Sequence, residues 1–341
     1  MKKNIKFSVL ELATVSQGYS FKETLNNSLA LARVAEESGY ERYWFAEHHN
    51  SEIVASSATA VLIGYVADNT QRIRVGSGGV MLPNHSPLII AEQFGTLGQL
   101  YPSRIDLGLG RAAGTDSLTA QAIRSDSFEA ARAFPGEVQK IQDYFSLSNG
   151  SSKVRVAIAE GIEVPIYILG SSTDSAHLAA KKGLPYAFAS HFASTHLYNA
   201  LQIYEQEFQP SEFLKSPYTI AGINVIVADT NEEAERKFTS LIGMFYGMIT
   251  GNMQKVQPPV EMTEEWRQIF NHPSVYQMLR FSFVGDKESV KKQVVKFLEE
   301  TNVDELIAVS TMYSFEDRIK STQLFAEVMK EINMNFTRFK L

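Results

Sequence analysis

Short runs of β-branched and aromatic residues alternate along this chain with longer stretches whose apolar positions recur every three to four residues. The first run, Ile5–Leu10, leads into a helical pattern over Lys22–Ser38, which Gly39 closes. Arg42–Ala46 is followed by an apolar helix near Ser57–Asp68. A third run comes in two pieces, Ile73–Val75 and Val80–Leu82, ahead of a helix at Leu88–Leu100. Arg104–Leu109 precedes two helical stretches, Ser117–Arg132 and Pro135–Phe145. Val164–Leu169 pairs with Thr173–Lys182, Tyr186–Ala189 with Thr195–Phe208, and Thr219–Val227 with Asn231–Gly251. Glu305–Val309 and a closing helix at Phe315–Ile332 end the series.

Strict strand–helix alternation predicts a parallel sheet with helical crossovers, and eight such units are the number that closes a (β/α)₈ barrel. A doubly wound open sheet is the runner-up, but it would carry a phosphate loop in its first βα turn. That turn reads Glu-Leu-Ala-Thr-Val-Ser-Gln-Gly here. Gly108-x-Gly110-x-x-Ala113 has the loose dinucleotide spacing, but it lies in the fourth unit and places Arg111 in the turn. A barrel takes roughly 250 residues. The surplus falls after strands 4 and 7, in Ser146–Glu163 and Asn252–Phe283, within one barrel domain spanning 1–341. Ser146–Glu163 includes a short alternating piece, Val154–Ile158. Insertions of this size often serve as lids or substrate walls.

Composition narrows the field. The chain has 341 residues, 44% of them hydrophobic and 21% charged, which is ordinary globular usage. It has no cysteine, which excludes disulfides, thiolate metal sites and a cysteine nucleophile and is compatible with a reducing cytoplasm, the expected location. Lys6 and Glu11 interrupt the apolar stretch at the start, so a mature N-terminus is expected. No run approaches the ~18 apolar residues of a membrane span. With a net charge of −6 and no basic block, nucleic acid is not an expected partner.

In a barrel the chemistry sits at the C-terminal ends of the strands. Those ends carry Glu11, then Glu47-His48-His49-Asn50, Gly76-Ser77-Gly78-Gly79, Gly108-Leu109-Gly110-Arg111, Gly170-Ser171-Ser172 and Ser190-His191-Phe192. Of the seven histidines, His48, His49 and His191 fall at strand ends and His85 in the loop after strand 3. Successive strand residues point to opposite faces, so Glu47, His48 and His49 cannot all ligate one ion, and no metal site is expected. A histidine placed for proton transfer suits the position better. Arg111 and the Gly170–Ser175 turn, at the start of a helix, together form a two-sided cradle for a phosphate.

Three stretches carry a resemblance. Tyr43-Trp44-Phe45-Ala46-Glu47-His48-His49-Asn50, the run from Arg74 through Gly78-Gly79 and Leu82-Pro83-Asn84-His85 to Pro87, and Arg104-Ile105-Asp106-Leu107-Gly108-Leu109-Gly110-Arg111 resemble the bacterial luciferase-like flavin monooxygenases. Gly183–Ala189 and Val284-Gly285-Asp286 fit as well, so the resemblance runs over essentially the whole chain. It implies a (β/α)₈ barrel, usually dimeric, that uses reduced FMN and O2 to oxygenate a small substrate. The FMN is delivered by a separate flavin reductase. His48 matches the family's catalytic histidine, and Gly78 and Gly79 match its non-proline cis peptide beneath the flavin ring. Arg111, Ser171, Ser172 and Ser175 match the phosphate site. Glu11, Tyr19, His49, His85, His191 and Phe192, with Asn252–Phe283, are the expected substrate walls. Luciferase itself has a glutamate at the position of Ser171, Ala-Ala at the cis pair and a cysteine at Gly110. Those departures count against an aldehyde substrate and light emission. The alternatives are an F420-dependent hydride-transfer barrel, a non-catalytic flavin-binding protein and a metal-dependent barrel hydrolase.

Overall fold

The structure is a computed structural model and describes residues 4–338. Residues 1–3, part of the expected mature start, and 339–341 lie outside the described residues. The first half of the chain runs β1 (Lys6–Glu11), α1 (Phe21–Ser38), β2 (Arg42–Phe45), α2 (Thr59–Asp68), β3 (Arg74–Met81), α3 (Pro87–Leu100) and β4 (Ile105–Gly110). The predicted Ser117–Arg132 helix is two, α4 (Ser117–Ile123) and α5 (Ser127–Arg132), ahead of α6 (Phe134–Phe145). Next come β5 (Ile166–Gly170), α7 (Thr173–Lys182), β6 (Tyr186–Phe188), α8 (Leu197–Glu207) and β7 (Thr219–Val227). The remainder is α9 (Asn231–Thr250), α10 (Glu264–Phe270), α11 (Pro273–Leu279), β8 (Ser282–Gly285), α12 (Lys287–Thr301), β9 (Glu305–Val309) and α13 (Phe315–Arg338).

Every pairing among these strands is parallel, and the ring β1–β2–β3–β4–β5–β6–β7–β9 closes back on β1 as a (β/α)₈ barrel. β8 stands outside it and pairs only with the far part of β7, from Asn224↔Ser282 to Val227↔Gly285. The crossover into β9 is therefore α12, not α9. The α12 signal is present in the sequence: Asp286 caps it, Val290, Val294, Phe297 and Leu298 form its buried stripe, and Asn302 ends it in the left-handed region.

Two of the sequence expectations about insertions change. Segment 146–163 follows α6 and leads into β5, so it lies at the N-terminal ends of the strands, away from the mouth. Val154–Ile158 is not a strand; Val156 and Ala159 instead pack against Ala91 of α3. Segment 252–283, by contrast, lies over the mouth, and α9 belongs with it. Val256 N donates to Val15 O at 3.0 Å and Gln17 N to Val256 O at 2.9 Å, in the loop after β1. Ser194 Oγ, beyond β6, donates to Gln277 O at 2.5 Å.

Alternation sorts the strand residues. Phe7, Val9, Tyr43, Phe45, Ala221 and Ile223 pack outward under the helices, while Leu10, Trp44, Ala46, Ile220 and Ile307 fill the barrel. Below them the barrel floor is ionic. Arg42 donates to Asp106 at 2.7 Å, Glu305 at 2.8 Å and the Tyr167 hydroxyl at 2.8 Å. Arg74 holds the other Asp106 oxygen at 2.5 Å, and Tyr218 donates to Glu305 at 2.6 Å. Burial opposes the Arg42 charge, but Glu305 and Asp106 outweigh it and hold its pKa well above the ordinary value. A paired, hydrogen-bonded floor leaves the C-terminal end as the open end of the barrel.

Candidate active site

The parity of β2 continues past its last residue. Arg42, Trp44, Ala46 and His48 form the inward row, and Tyr43, Phe45, Glu47 and His49 the outward one. Glu47 is 1% exposed. Its Oε1 accepts from His49 Nε2 at 2.7 Å, His85 Nε2 at 2.8 Å and Asn84 Nδ2 at 3.2 Å, and its Oε2 from Met81 N at 3.1 Å. Burial alone would raise this carboxyl. The donated hydrogen bonds win and bring its pKa down to about 2. An ionised Glu47 makes both Nε2 atoms donors.

Strand alternation forbids three consecutive ligands, but it allows Glu47 and His49, two apart, to meet His85 from another loop. Their three ligand atoms lie within 4.8 Å of one another. Each is already hydrogen-bonded within the cluster. His85 and His49 thus brace the outside of the strand end and do not wall the barrel's interior.

His48 is anchored by its backbone N–H to Ser56 O at 2.9 Å. Its Nδ1 is buried without a hydrogen-bond partner among the described residues. Burial lowers its pKa below the usual imidazole value; the Glu47 carboxylate opposes this and His49 adds to it. His191 stands beyond β6 with its ring edge on Phe192, centroids 4.9 Å apart. Its Nδ1 is also buried and unpartnered, and burial together with His48 brings its pKa down to about 3. The two imidazoles thus come from β2 and β6, opposite staves of the eight-membered ring.

Between them β3 presents bare backbone. The Gly78–Gly79 peptide bond is cis, and the β3–β4 register shifts between Ser77 and Val80, which is why the third run reads as two pieces in the sequence. A Cβ on Gly78 would stand 2.7 Å from Leu10 Cδ1, and one on Gly79 2.8 Å from Gly108 O. Only glycines permit this close approach.

On the neighbouring strands, Arg111 Nη1 and Nη2 each lie 3.2 Å from Asp174 Oδ2, in the first turn of α7. Ser171 is exposed. Ser172 is the N-cap of α7 but makes no side-chain capping bond, so the helix's first N–H groups are not taken up by it. Ser175 departs from expectation. Its hydroxyl donates to Ser172 O at 2.8 Å and meets the Tyr186 hydroxyl at 3.0 Å, so it braces the turn from within.

Glu11 is not the pocket wall its strand-end position suggests: it is fully buried, on the outward row of β1. Its Oε2 accepts from Arg318 Nη2 of α13 at 2.5 Å and from the Tyr43 hydroxyl at 2.8 Å, and its Oε1 from Ala13 N at 2.5 Å. Tyr19 stacks edge-on against Tyr313 at the rim, at 6.4 Å. Phe192 is 41% exposed. Sequence reasoning did not identify Arg318, Asn84 or Gly222 (which lies under the His191 ring) as part of this region, because each meets its partner only through the closed barrel.

Ionisable side chains left without partners at the C-terminal end of a closed barrel mark an enzyme. Residues 5–305 match the model of the luciferase-like monooxygenases, and the chain belongs to that family. It is 45% identical over 330 residues to a luciferase-like monooxygenase of Escherichia coli strain K12, covering 97% of this chain and 98% of that one. It is 30% identical over 335 residues to the N-acetyl-S-alkylcysteine monooxygenase of Bacillus subtilis, covering 95% and 98%. Among solved structures, apo-MsnO8 superposes with a TM-score of 0.87 at 32% identity, over 96% of this chain and 98% of that chain. Two others share the fold at lower identity. The oxygenating constituent of 3,6-diketocamphane monooxygenase from Pseudomonas putida, in complex with FMN, has a TM-score of 0.70 at 17% identity, covering 96% and 98%. An F420-dependent secondary alcohol dehydrogenase has 0.67 at 18%, also covering 96% and 98%.

Proposed function

We propose that this enzyme is an FMN-dependent monooxygenase that uses reduced FMN and O2 to oxygenate a small organic substrate at the barrel mouth. The reading includes a separate flavin reductase as supplier, a cytoplasmic location and a homodimer. The observation that carries it is the meeting of Arg111 with the N-terminus of α7. A guanidinium and free helix N–H groups converge there, the chemistry of a phosphate site. Asp174 now holds Arg111, but both side chains are more than half exposed, 51% and 66%. Such a pair is worth about 0–1 kcal/mol, so a dianionic phosphate would displace the carboxylate.

The residues present fit FMN. The Gly78–Gly79 backbone, packed closely on Leu10, Trp44 and Gly108, would serve as the face against which a ring system packs. When bound in its reduced form, FMN supplies the electrons that activate O2. The chain's own contributions are the binding of the phosphate by Arg111, Ser171, Ser172 and the α7 N–H groups, and the handling of one proton by His48. Its depressed pKa keeps the His48 imidazole neutral, so it accepts or relays a proton at neutral pH without a standing charge. Segment 252–283, tied to the loops after β1 and β6, would limit water at the mouth.

The homodimer is supported by α2 and α3. They expose Val61, Tyr65, Ile89 and Leu100 on helices whose only charged residues are Asp68 and Glu92. A face so poor in charge suits a second copy of itself. An F420-dependent reductase is the second reading, favoured by the F420-dependent neighbour of the same fold.

The deciding experiment is a single turnover of protein-bound reduced FMN with ¹⁸O₂ and a panel of N-acetyl-S-alkylcysteines, ketones and alkanes. The proposal expects one label atom in an organic product. Label recovered only in hydrogen peroxide across the panel would contradict it.

A further inference from the structure

We propose that Gly222 locks His191 as a neutral Nε2–H donor, and that this donor reads an acceptor oxygen on the organic substrate. Two contacts fix the backbone of the β6 extension to β7: Ser190 Oγ donates to Gly222 O at 2.6 Å, and Asn224 Nδ2 donates to His191 O at 2.6 Å. Gly222 lies in the inward row of β7 between Ile220 and Asn224, so the missing side chain would point into the barrel. The His191 ring fills that place. A Cβ on Gly222 would stand 2.5 Å from His191 Nδ1 and 3.4 Å from its Cε1.

Gly222 makes room for the ring, and the burial of Nδ1 assigns the tautomer. Nδ1 is buried with no hydrogen-bond partner among the described residues. A proton there would be a donor cut off from water and from every acceptor, which folded proteins rarely tolerate. A bare Nδ1 leaves no donor stranded. The proton of a neutral imidazole then sits on Nε2, at the other end of the ring, where no hydrogen bond forms among the described residues.

The groups facing the ring reinforce neutrality. β2 contributes His48, and a proton on either imidazole opposes one on the other. From β7 the Asn224 amide holds the His191 carbonyl, and Phe192 lies against the ring edge; neither titrates. A donor that cannot change state favours a carbonyl, amide or similar acceptor. It leaves a ligand group that can only donate unpaired, and such a ligand binds more weakly. The substrate part of this inference rests on the mouth being the substrate side, as proposed above. The tautomer does not.

The test uses the full-length protein with ¹⁵N-labelled histidine. The NMR spectrum should show His191 with a protonated Nε2 and a bare Nδ1, unchanged between about pH 5 and 8. A protonated Nδ1, or titration near the ordinary imidazole value, overturns the assignment while leaving FMN binding untouched. Cyclohexanone and methylenecyclohexane, alike in shape, are then titrated separately. Cyclohexanone should bind about twofold to tenfold more tightly and shift the Nε2 signal. His191→Phe should abolish that preference. No preference for the ketone, or a response to FMN alone, overturns the substrate role. Gly222→Ala should release the ring and let His191 titrate. If that variant does not fold, the wild-type spectrum and His191→Phe still decide.

Discussion

His48 and Glu47 are adjacent in the chain but face opposite sides of the barrel wall. The period of two in Glu47-His48-His49 predicts that split, and the structure sets His48 in the inward row and His49 in the outward one. What no local pattern contains is the destination of the outward pair, because His85 and Asn84 arrive from the loop after β3. His48→Ala should leave FMN binding nearly intact and lower oxygenation by about two orders of magnitude. His49→Ala should cost much less in rate, and a larger loss there in single-turnover measurements would reverse the assignment. Glu47 gives a pH prediction. Its folded pKa of about 2 lies below the unassisted 4.5, so the stability it contributes is present above 4.5 and is lost as the pH falls toward 2. The stability gap between the wild type and Glu47→Gln, from urea unfolding, should shrink over that window by on the order of 3 kcal/mol. A constant gap would mean that the carboxyl titrates normally.

At the scale of elements, the break in the third hydrophobic run marks a real irregularity. β3 is continuous, but its register with β4 shifts at the Gly78–Gly79 step. Glycines on these two strands are not equivalent. A Cβ on Gly108 would run into the Ser77 carbonyl oxygen and lie 2.6 Å from Leu169 Cδ1, whereas one on Gly110 would meet the flexible end of Met81 at 2.7 Å. Gly108→Ala should therefore destabilise by about 3 kcal/mol or more and weaken FMN binding, and Gly110→Ala by under about 1 kcal/mol. Equal midpoints in urea would contradict this. Strand parity also decides where Glu11 faces. A glutamate at a strand end suggests the mouth, but the parity of β1 turns it outward to Arg318 of α13, 307 residues away. Glu11→Gln leaves the Arg318 charge uncompensated, and unfolding should show a loss of about 3–5 kcal/mol.

For the whole molecule, the alternation of runs and helical stretches was enough for the barrel, because eight parallel units have few ways to close. It was not enough for β8 and α12. A four-residue strand outside the ring gives almost no periodic signal, and the α12 stripe was hidden between an insertion and the last strand. Light scattering should give a dimer for the wild type and a monomer for Val61→Lys combined with Leu100→Glu. A wild-type monomer would contradict the α2–α3 face as an interface.

Whether the mouth holds FMN by its phosphate is decided by anaerobic titration of the protein with reduced FMN and with reduced F420. The FMN arm is repeated with riboflavin and with Arg111→Ala. FMN should bind one per chain and more tightly than F420. Arg111→Ala should weaken FMN about tenfold to hundredfold and leave riboflavin nearly unchanged. Tighter binding of F420, or equal weakening of FMN and riboflavin, would contradict a phosphate-anchored FMN.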